Sequence, residues 1–351
     1  MRRFYLFAPA LLLCLVSCMK EQNPGTEDGT FSPVQGQSLF VVNEGGFGSG
    51  NSSLSCYDAV SQTVTNGVFS MANGVPLGDT GQSMTIHGDN GWVVVNNSKI
   101  IFAVGLSDMK EKGRITGLTS PRNIAFVSDT KAYVTDLYDT KITIVNPQTY
   151  QVTGWIETEA STEQMIISDG YMYVNCWSYG TEILKIDLAS DAIVKRIKVG
   201  IQPCSMALDS QNRLWVLTDG GGWEGNPAGY ESPGMSRIDL STGEVDAEWK
   251  FDDYTSVSDL TVSHDGNTLY WLRSGVCKMD INATDLPSEP LIPNSSGQTF
   301  YSLTVSPSDG DIYVGDAIDY SQNGKVYRYS ADGTLKSEFS VGICPGAFCW
   351  Y

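Results

Sequence analysis

Residues 133–159 read YVTDLYDTKITIVNPQTYQVTGWIETE. Three short segments rich in β-branched and aromatic residues are separated here by turn residues such as Asn146 and Pro147. Apolar and polar side chains alternate within the segments, and this period of two predicts short antiparallel strands joined by tight connections. Because the same layout recurs along the chain, the stretch is one copy of a repeat.

Each copy is marked by a strand ending that leads into a turn and a second strand. The marker appears as YDAVSQTV at 57, VGLSDMKE at 104, VNPQTYQV at 145, IDLASDAI at 186, IDLSTGEV at 238, MDINATDL at 279 and YSADGTLK at 329. The copies are 41 residues apart where no loop is inserted and up to 52 where one is. Periods near 40 residues with several short strands per unit are typical of a β-propeller.

A second marker, an alternating strand, a polar turn and another strand, precedes the first in most copies. It appears as NIAFVSDTKAYVTD from 123, SMALDSQNRLWVLTD from 205 and SLTVSPSDGDIYVGD from 302. Asp-Gly pairs in several of these turns indicate hairpins, and no long stretch shows helical periodicity. Each unit is therefore predicted to contain four antiparallel strands, labelled A to D from the hub outward.

The ends of the repeat region predict how the ring closes. Residues 343–350 resemble strand A of other copies, whereas residues 38–43 resemble strand B. The last strand is therefore expected to complete the first blade, which removes an exposed pair of sheet edges. The prediction is an all-β, seven-bladed β-propeller of four-stranded antiparallel blades over residues 37–351. A sandwich or two small barrels would explain neither the period nor this offset.

The first residues read as a targeting segment. Residues 1–17 combine a basic start with an apolar run too short to span a bilayer, which is typical of a secretory signal. The end of this run, LVSC at 15–18, resembles a bacterial lipobox, which implies lipidation of Cys18. Residues 18–36 have the composition of a flexible linker. Its KEQ segment resembles the export signal of Bacteroidetes surface lipoproteins, so we expect a lipid-anchored protein at the cell surface of the outer membrane.

The composition of the chain argues against some binding partners and against some kinds of catalytic site. The chain has 22 basic and 40 acidic residues, a net charge of −18, which disfavours nucleic acid as a partner. There is no CxxC pair, and the two histidines, His87 and His264, both fall in predicted A-to-B turns, so a zinc site or a His-dependent nucleophile is hard to assemble. We therefore expect no metal site and no catalytic residues. Six cysteines follow Cys18, and their pairing stays open: Cys56, Cys176, Cys204, Cys277, Cys344 and Cys349.

One face of the predicted disc carries the candidate binding residues. The B-to-C and D-to-A connections share this face, and they are longer and more aromatic than those of the other face. Aromatic rings give a large contact area at low entropy cost, and amides can both donate and accept hydrogen bonds. The loop at 219–235 is the best single candidate, because loops over 15 residues long are usually functional or disordered. The predicted ligand-binding residues are Phe47, Gln82, Arg122, Asn123, Tyr138, Gln164, Trp177, Tyr179, Trp223, Tyr230, Tyr254, Phe300, Tyr301 and Tyr320.

Five further tryptophans lie on predicted strands and are interpreted as blade packing: Trp92, Trp155, Trp215, Trp249 and Trp271.

The repeat is similar to that of the YncE-type "YVTN" propellers, whose YVxD/YVxN strand and following V-N-P turn are both present in residues 133–147. Together with the lipobox and the opening VNEGGFGSGNSSLSCYD at 42–58, the chain more closely resembles the BtuG surface lipoproteins. That resemblance implies capture of cobalamin and related corrinoids and their delivery to a TonB-dependent outer-membrane transporter of the BtuB type. It also implies that cobalamin is a transported ligand rather than a cofactor, and that the protein is not an enzyme.

Two other functions stay open. Aromatic platforms also stack on sugars, so a surface glycan-binding propeller is one alternative. The other is a carbohydrate-active enzyme that uses two carboxylates. Six acids lie on the candidate face: Asp136, Asp139, Asp219, Glu224, Asp316 and Asp319.

Overall fold

A computed structural model describes residues 32–351 of the chain. The predicted signal segment, the predicted lipidation site Cys18 and most of the predicted linker fall outside these residues. The described residues form seven four-stranded antiparallel sheets, and the prediction of a seven-bladed β-propeller is confirmed.

The blades are numbered in chain order. Blade 1 begins with β1 (Ser38–Asn43), β2 (Ser53–Asp58) and β3 (Thr63–Thr65), followed by the helix α1 (Val68–Asn73). Blade 2 contains β4 (Gly81–His87), β5 (Asn90–Val95), β6 (Ile100–Gly105) and β7 (Glu111–Ile115). Blade 3 contains β8 (Pro121–Ser128), β9 (Lys131–Asp136), β10 (Lys141–Asn146) and β11 (Gln151–Glu157). Blade 4 contains β12 (Met165–Ser168), β13 (Tyr171–Asn175), β14 (Glu182–Asp187) and β15 (Ala192–Lys198).

The remaining blades continue the pattern. Blade 5 contains β16 (Pro203–Leu208), β17 (Arg213–Thr218), β18 (Gly234–Asp239) and β19 (Glu244–Lys250). Blade 6 contains β20 (Ser258–Val262), β21 (Thr268–Leu272), β22 (Gly275–Asp280) and β23 (Ile292–Pro293). Blade 7 contains β24 (Phe300–Val305), β25 (Ile312–Asp316), β26 (Asn323–Tyr329) and β27 (Leu335–Ile343), and the last strand is β28 (Pro345–Trp350).

The ring closes as predicted, with the last strand in the first blade. β28 pairs antiparallel with β1, and their register runs from Asn43 opposite Pro345 to Leu39 opposite Trp350. The strand order of this blade is β28-β1-β2-β3, so β28 is strand A. The closure is therefore a ladder of main-chain hydrogen bonds in addition to side-chain packing.

The core lies between blades. In β1, alternate side chains enter two different clusters: Phe40 and Val42 pack toward blade 2, whereas Leu39 and Val41 pack toward blade 7. Successive side chains of a strand point to opposite faces of its sheet, so a strand between two neighbouring blades is buried on both faces. This explains the unbroken apolar character of the inner strands. The outermost strands, such as β15, alternate instead between exposed and covered positions.

Three details differ from the sequence-based expectation. The short helix α1 lies between β3 and β4, in a segment where no helical period was visible. In blade 6, strand D is only two residues long and follows a long connection, 281–291. Pro287 and Pro290 in this connection lack the N–H that a ladder needs. Finally, Trp155 was expected to pack between blades but is 59% exposed, because it lies on an outermost strand.

The connections divide between two faces of the disc. The loop-rich face carries the B-to-C and D-to-A connections, including the 15-residue segments 66–80 and 219–233. The turn face carries the A-to-B and C-to-D connections, many of which are turns capped by an aspartate, as where Asp187 accepts hydrogen bonds from the N–H groups of Ala189 and Ser190. None of the helices in residues 32–351 is long and apolar enough to cross a bilayer.

Candidate functional site

The hub of the propeller contains a cavity of about 700 Å³, which we call the central well. Its wall is formed mainly by the first residues of the A strands, and every blade contributes to it. Trp177, Asp219 and Tyr320, all in B-to-C loops, also line the cavity, so the well opens toward the loop-rich face.

β-bulges place side chains in the well. In six blades the pairing of strand A with its neighbour skips residues near the start of the strand, and a bulge of this kind re-aims the side chain of the extra residue. The skipped residues are Gln82, Arg122 with Asn123, Cys204, Asp259 with Leu260, Tyr301 and Gly346. All of them line the well. In blade 4 the corresponding place is taken by Glu163 and Gln164, directly before β12.

Blade 1 differs from the other blades because its bulge residue, Gly346, has no side chain. A Cβ built on Gly346 would lie 2.5 Å from Oε1 of Glu44, which is closer than real Cβ atoms approach. Glu44 follows β1 directly and also lines the well. The missing side chain of Gly346 therefore leaves the space that the Glu44 carboxylate occupies.

One arc of the well is a hydrogen-bonded chain centred on a guanidinium. Arg122 donates through Nε to the Glu163 carboxylate at 2.7 Å and through Nη1 to Gln82 Oε1 at 2.6 Å. Both members of the ion pair are largely buried, with side-chain exposures of 16% and 10%. A buried ion pair with additional hydrogen bonds has a fixed geometry, so this arc is a preformed polar wall.

The opposite arc carries a carboxylate paired with a phenol. The Tyr301 hydroxyl donates to Glu44 at 3.0 Å from Oε2 and 3.1 Å from Oε1. Burial raises the pKa of Glu44 above its usual range, although the hydrogen bond from Tyr301 and the nearby Arg122 favour the ionised form. Glu44 is therefore a strong hydrogen-bond acceptor when ionised, with lone pairs available to a ligand.

Asp259 is the second carboxylate on that arc. It lies in the bulge of β20 with a φ of 53°, in the left-handed region that residues other than glycine rarely adopt. Burial raises its pKa to about 7, against hydrogen bonds from Ser258 and the Leu303 backbone. The thiol of Cys204 is beside it in the ring, and burial raises the pKa of that thiol well above its usual value. The thiol is therefore neutral at physiological pH.

The rim of the well is braced by polar contacts. Trp177 donates through Nε1 to Oδ2 of Asp219 at 2.9 Å. Gln202 donates to the same carboxylate through Nε2 at 3.0 Å, and its own Oε1 accepts from Asn226 at 2.8 Å. These bonds fix the indole at the mouth, where its ring lines the well.

The long loop of blade 5 is an ordered structure. Asn226 is 6% exposed, its Nδ2 donates to the Gly221 carbonyl at 2.8 Å, and its Oδ1 accepts from the Ala228 N–H at 2.8 Å. Gly221 has a φ of 95°, and a Cβ there would lie 2.5 Å from the Gly229 carbonyl oxygen, so the loop needs glycine at this position. The long, glycine-rich loop that the sequence singled out therefore forms a part of the rim that is held by its own hydrogen bonds.

Two aromatic pairs stand on the loop-rich face. Tyr230 and Tyr254 are stacked, with ring centroids 4.6 Å apart and planes 20° apart. Tyr301 and Tyr320 meet edge to face, with centroids 5.6 Å apart. Ile318 and Tyr320 both have positive φ angles, of 56° and 63°. A positive φ at a β-branched residue such as Ile318 costs about 1–3 kcal/mol. This backbone conformation places the Tyr320 ring over the well.

The structure separates the predicted ligand-binding residues into two groups. Eight of them line the well: Gln82, Arg122, Asn123, Gln164, Trp177, Phe300, Tyr301 and Tyr320. Six lie on the loop-rich face outside its lining, with exposures from 36% to 81%: Phe47, Tyr138, Tyr179, Trp223, Tyr230 and Tyr254.

Sequence reasoning missed three acidic residues of the well: Glu44, Glu163 and Asp259. Glu163 is next to the predicted Gln164, so its position in a D-to-A connection was a usable signal. Glu44 had a similar signal, because it opens the B-to-C connection of blade 1, whereas Asp259 had none because its position depends on a bulge.

Several predicted face acids are used to brace loops. Asp136 is buried and accepts hydrogen bonds from the N–H groups of Ser120 at 2.7 Å and Tyr138 at 2.9 Å. Asp316 does the same for Thr299 and Ile318 in blade 7. Across residues 32–351, no group of three or more His, Cys, Asp or Glu side chains has a geometry that could hold a metal ion. The six cysteines after Cys18 are all free thiols in the structure.

The family models identify the chain over nearly the whole propeller. Residues 37–343 match the domain of unknown function DUF5074. The chain belongs to the DUF5074 family. The match begins directly before β1 and ends with β27, so the closing strand β28 follows it. A search of curated proteins finds no match.

Solved structures support the same architecture for this DUF5074 protein. It is similar to a quinonprotein alcohol dehydrogenase-like protein from Bacteroides thetaiotaomicron, with a TM-score of 0.68 and 14% identity over 88% of this chain and 76% of that one. It is also similar to hydrazine synthase of Kuenenia stuttgartiensis, with a TM-score of 0.61 and 14% identity over 76% of this chain and 88% of that one. At this identity the likeness shows the fold alone, a β-propeller.

Proposed function

We propose that this DUF5074 propeller is a surface lipoprotein that captures cobalamin or a related corrinoid in and around the central well. It then passes the ligand to a TonB-dependent outer-membrane transporter. The single observation that carries the proposal is the combination of a roughly 700 Å³ polar well with an aromatic rim on the same face. A binding site for a small molecule typically has this concave form, with a few placed polar groups.

The chemistry of the ligand agrees with that of the site. A corrin is a broad ring fringed with amides, so it needs a wide apolar contact and several hydrogen-bond partners. The exposed rings of Tyr254, Trp223 and Tyr320 offer the first. Arg122 and Glu44 in the well offer donors and acceptors for the second.

The proposed setting follows from the sequence. Lipidation of Cys18 would anchor the protein in the outer membrane with its propeller at the cell surface, and several acyl chains make such an anchor stable. A ring closed in this way leaves only the short outermost strand of each blade as an edge for pairing with another copy. We therefore propose a monomer that works with the transporter as its protein partner.

The proposed activity is binding without catalysis. Asp136 and Asp316 are engaged with backbone N–H groups, and Glu163 is paired with Arg122. His87 contacts Asp129 at 2.9 Å at the end of β4, on the turn face. These assignments favour structural roles for groups that could otherwise act as acids or bases.

Size-exclusion chromatography of the purified full-length protein mixed with cyanocobalamin tests the proposal. We expect the red absorbance to elute with the protein, and Trp177→Ala to weaken this retention because the indole lines the mouth. Elution of the colour apart from the wild-type protein would overturn corrinoid capture.

Glycan binding is the second candidate, and the stacked Tyr230 and Tyr254 favour it because such rings also stack on sugars. Retardation of the protein in a gel containing polysaccharide, without cyanocobalamin binding, would support this function. Hydrolysis of the polysaccharide that Asp259→Asn abolishes would instead support a carboxylate-dependent enzyme.

A further inference from the structure

The acidic and basic groups of the central well are unequal in number. Among the described residues that line it, Arg122 is the single basic residue, whereas four carry carboxyl groups: Glu44, Glu163, Asp219 and Asp259. The Arg122 guanidinium already makes its ion pair with Glu163. Asp219 is held by the indole N–H of Trp177 and by Gln202.

Two carboxyl groups consequently face the well without forming an ion pair among the described residues, although Arg122 lies near one of them, Glu44. Glu44 receives one hydrogen bond, from the Tyr301 hydroxyl, at 3.0–3.1 Å. Asp259 receives hydrogen bonds from Ser258 and the Leu303 backbone, neither of which carries charge. The two groups belong to blades 6 and 1, which flank blade 7 and its Tyr301.

The backbone fixes where these acceptors point. Asp259 is in a bulge with a positive φ, and Glu44 occupies the space that Gly346 leaves open. The positive φ of Asp259 costs conformational strain. Strained, preorganised acceptors in a cavity are typical of positions where ligand contact is made.

We propose that Asp259 and Glu44 select the chemical class of the ligand, so that the group entering the well bears N–H donors, as a primary amide or an ammonium, and no carboxylate or phosphate. This inference rests on the proposed capture of a ligand by the well. An amide N–H satisfies a carboxylate acceptor directly. An anion would instead lie beside two like charges in a partly desolvated cavity, a juxtaposition that is strongly unfavourable.

Isothermal titration with two matched corrinoids at pH 8 tests the inference. One probe is cyanocobalamin, and the other is its monocarboxylic acid, in which one ring amide has been hydrolysed to a carboxylate. The full-length wild-type protein should bind the acid on the order of tenfold more weakly or worse. Asp259→Asn and Glu44→Gln should each narrow the difference to about threefold or less, because each removes one like charge.

Asp252→Asn is the matched control, since it removes the same charge from an exposed residue of the loop that leads to β20. It should leave the difference between the two probes unchanged. Equal affinity of the wild-type protein for both probes would overturn the inference while leaving corrinoid capture intact. The inference would also be overturned if neither Asp259→Asn nor Glu44→Gln changed the difference in affinity between the two probes. Binding of neither probe would overturn the proposed function and this inference together.

Discussion

Gly346 and Glu44 share one place at the hub: a Cβ on the glycine would lie 2.5 Å from the carboxylate oxygen. The two residues come from opposite ends of the described chain and meet because β28 pairs with β1. The closure of the ring therefore also builds part of the well.

Gly346→Ala should displace Glu44 from the well. Overpacking of this kind costs roughly 1–3 kcal/mol, so we expect a lower midpoint in chemical denaturation and weaker ligand binding. The double variant Gly346→Ala with Glu44→Ala removes the clash and should recover most of the stability. If the losses of stability in the two single variants were additive in the double variant, Gly346 and Glu44 would not compete for the same space.

Asp259→Asn should stabilise the protein in a pH-dependent manner. The folded-state pKa of Asp259 is raised to about 7 from 3.8, chiefly by burial, and Glu44 and Cys204 near it bring no positive charge. The stability due to the protonated form is complete below about pH 4 and is lost as the pH rises through 7.

At pH 8 the asparagine variant should therefore be more stable than wild type by about 1–2 kcal/mol, a figure reduced from the full shift because solvent reaches the well. The gain should vanish near pH 4. Thermal melting across this range measures it, with Asp252→Asn as a control that should show no such trend. A gain of the same size at both ends of the range would show that ionisation is not its cause.

Tyr254→Ala should weaken ligand binding because it removes one ring of the stacked pair, whose rings are 4.6 Å apart, from the surface on which the ligand would lie. A ring stacked on the ligand contributes about 0.5–1.5 kcal/mol beyond its buried area, or roughly a twofold to tenfold change in affinity. Tyr138→Ala is the control, because this ring is 78% exposed and is not part of the stack of Tyr230 and Tyr254. Titration with cyanocobalamin should show a larger loss of affinity for Tyr254→Ala than for Tyr138→Ala. A larger loss for Tyr138→Ala would indicate that the ligand contacts the loops of blade 3 instead.

The cysteines should behave as buried free thiols. Burial raises the pKa of Cys56 and Cys176 to about 12, which leaves little thiolate to react. We expect slow labelling by a thiol reagent in the native protein and complete labelling after unfolding in guanidinium. A reducing agent should not shift the melting temperature, and a fall on reduction would reveal disulfides.

The sequence was sufficient for the architecture because a propeller repeats. Each copy restates the same strand and turn signals, and the match of residues 343–350 to strand A predicted the composite blade. Single-copy features were weaker. Trp155 has the composition of a packed strand residue, but its exposure depends on its being in the outermost strand.

The well was only partly predictable for a related reason. Its aromatic and amide members, such as Tyr320 and Gln82, follow from loop position and residue type. A bulge, in contrast, depends on the register between two strands, which the alternation of one strand does not encode. Asp259 is therefore visible as a well residue only once β20 and β21 are paired.

Because of the bulges, one strand A can both pack between blades and place a side chain in the well. The residues of β4 beyond the bulge, such as Met84, pack in the apolar cluster between blades 1 and 2, whereas Gln82 in the bulge lines the well. Exchange of the bulge side chain would thus alter what the hub recognises while the frame stays intact. A common ring could in this way acquire a new cargo through a few substitutions, and the six bulges are the natural positions at which to redesign its specificity.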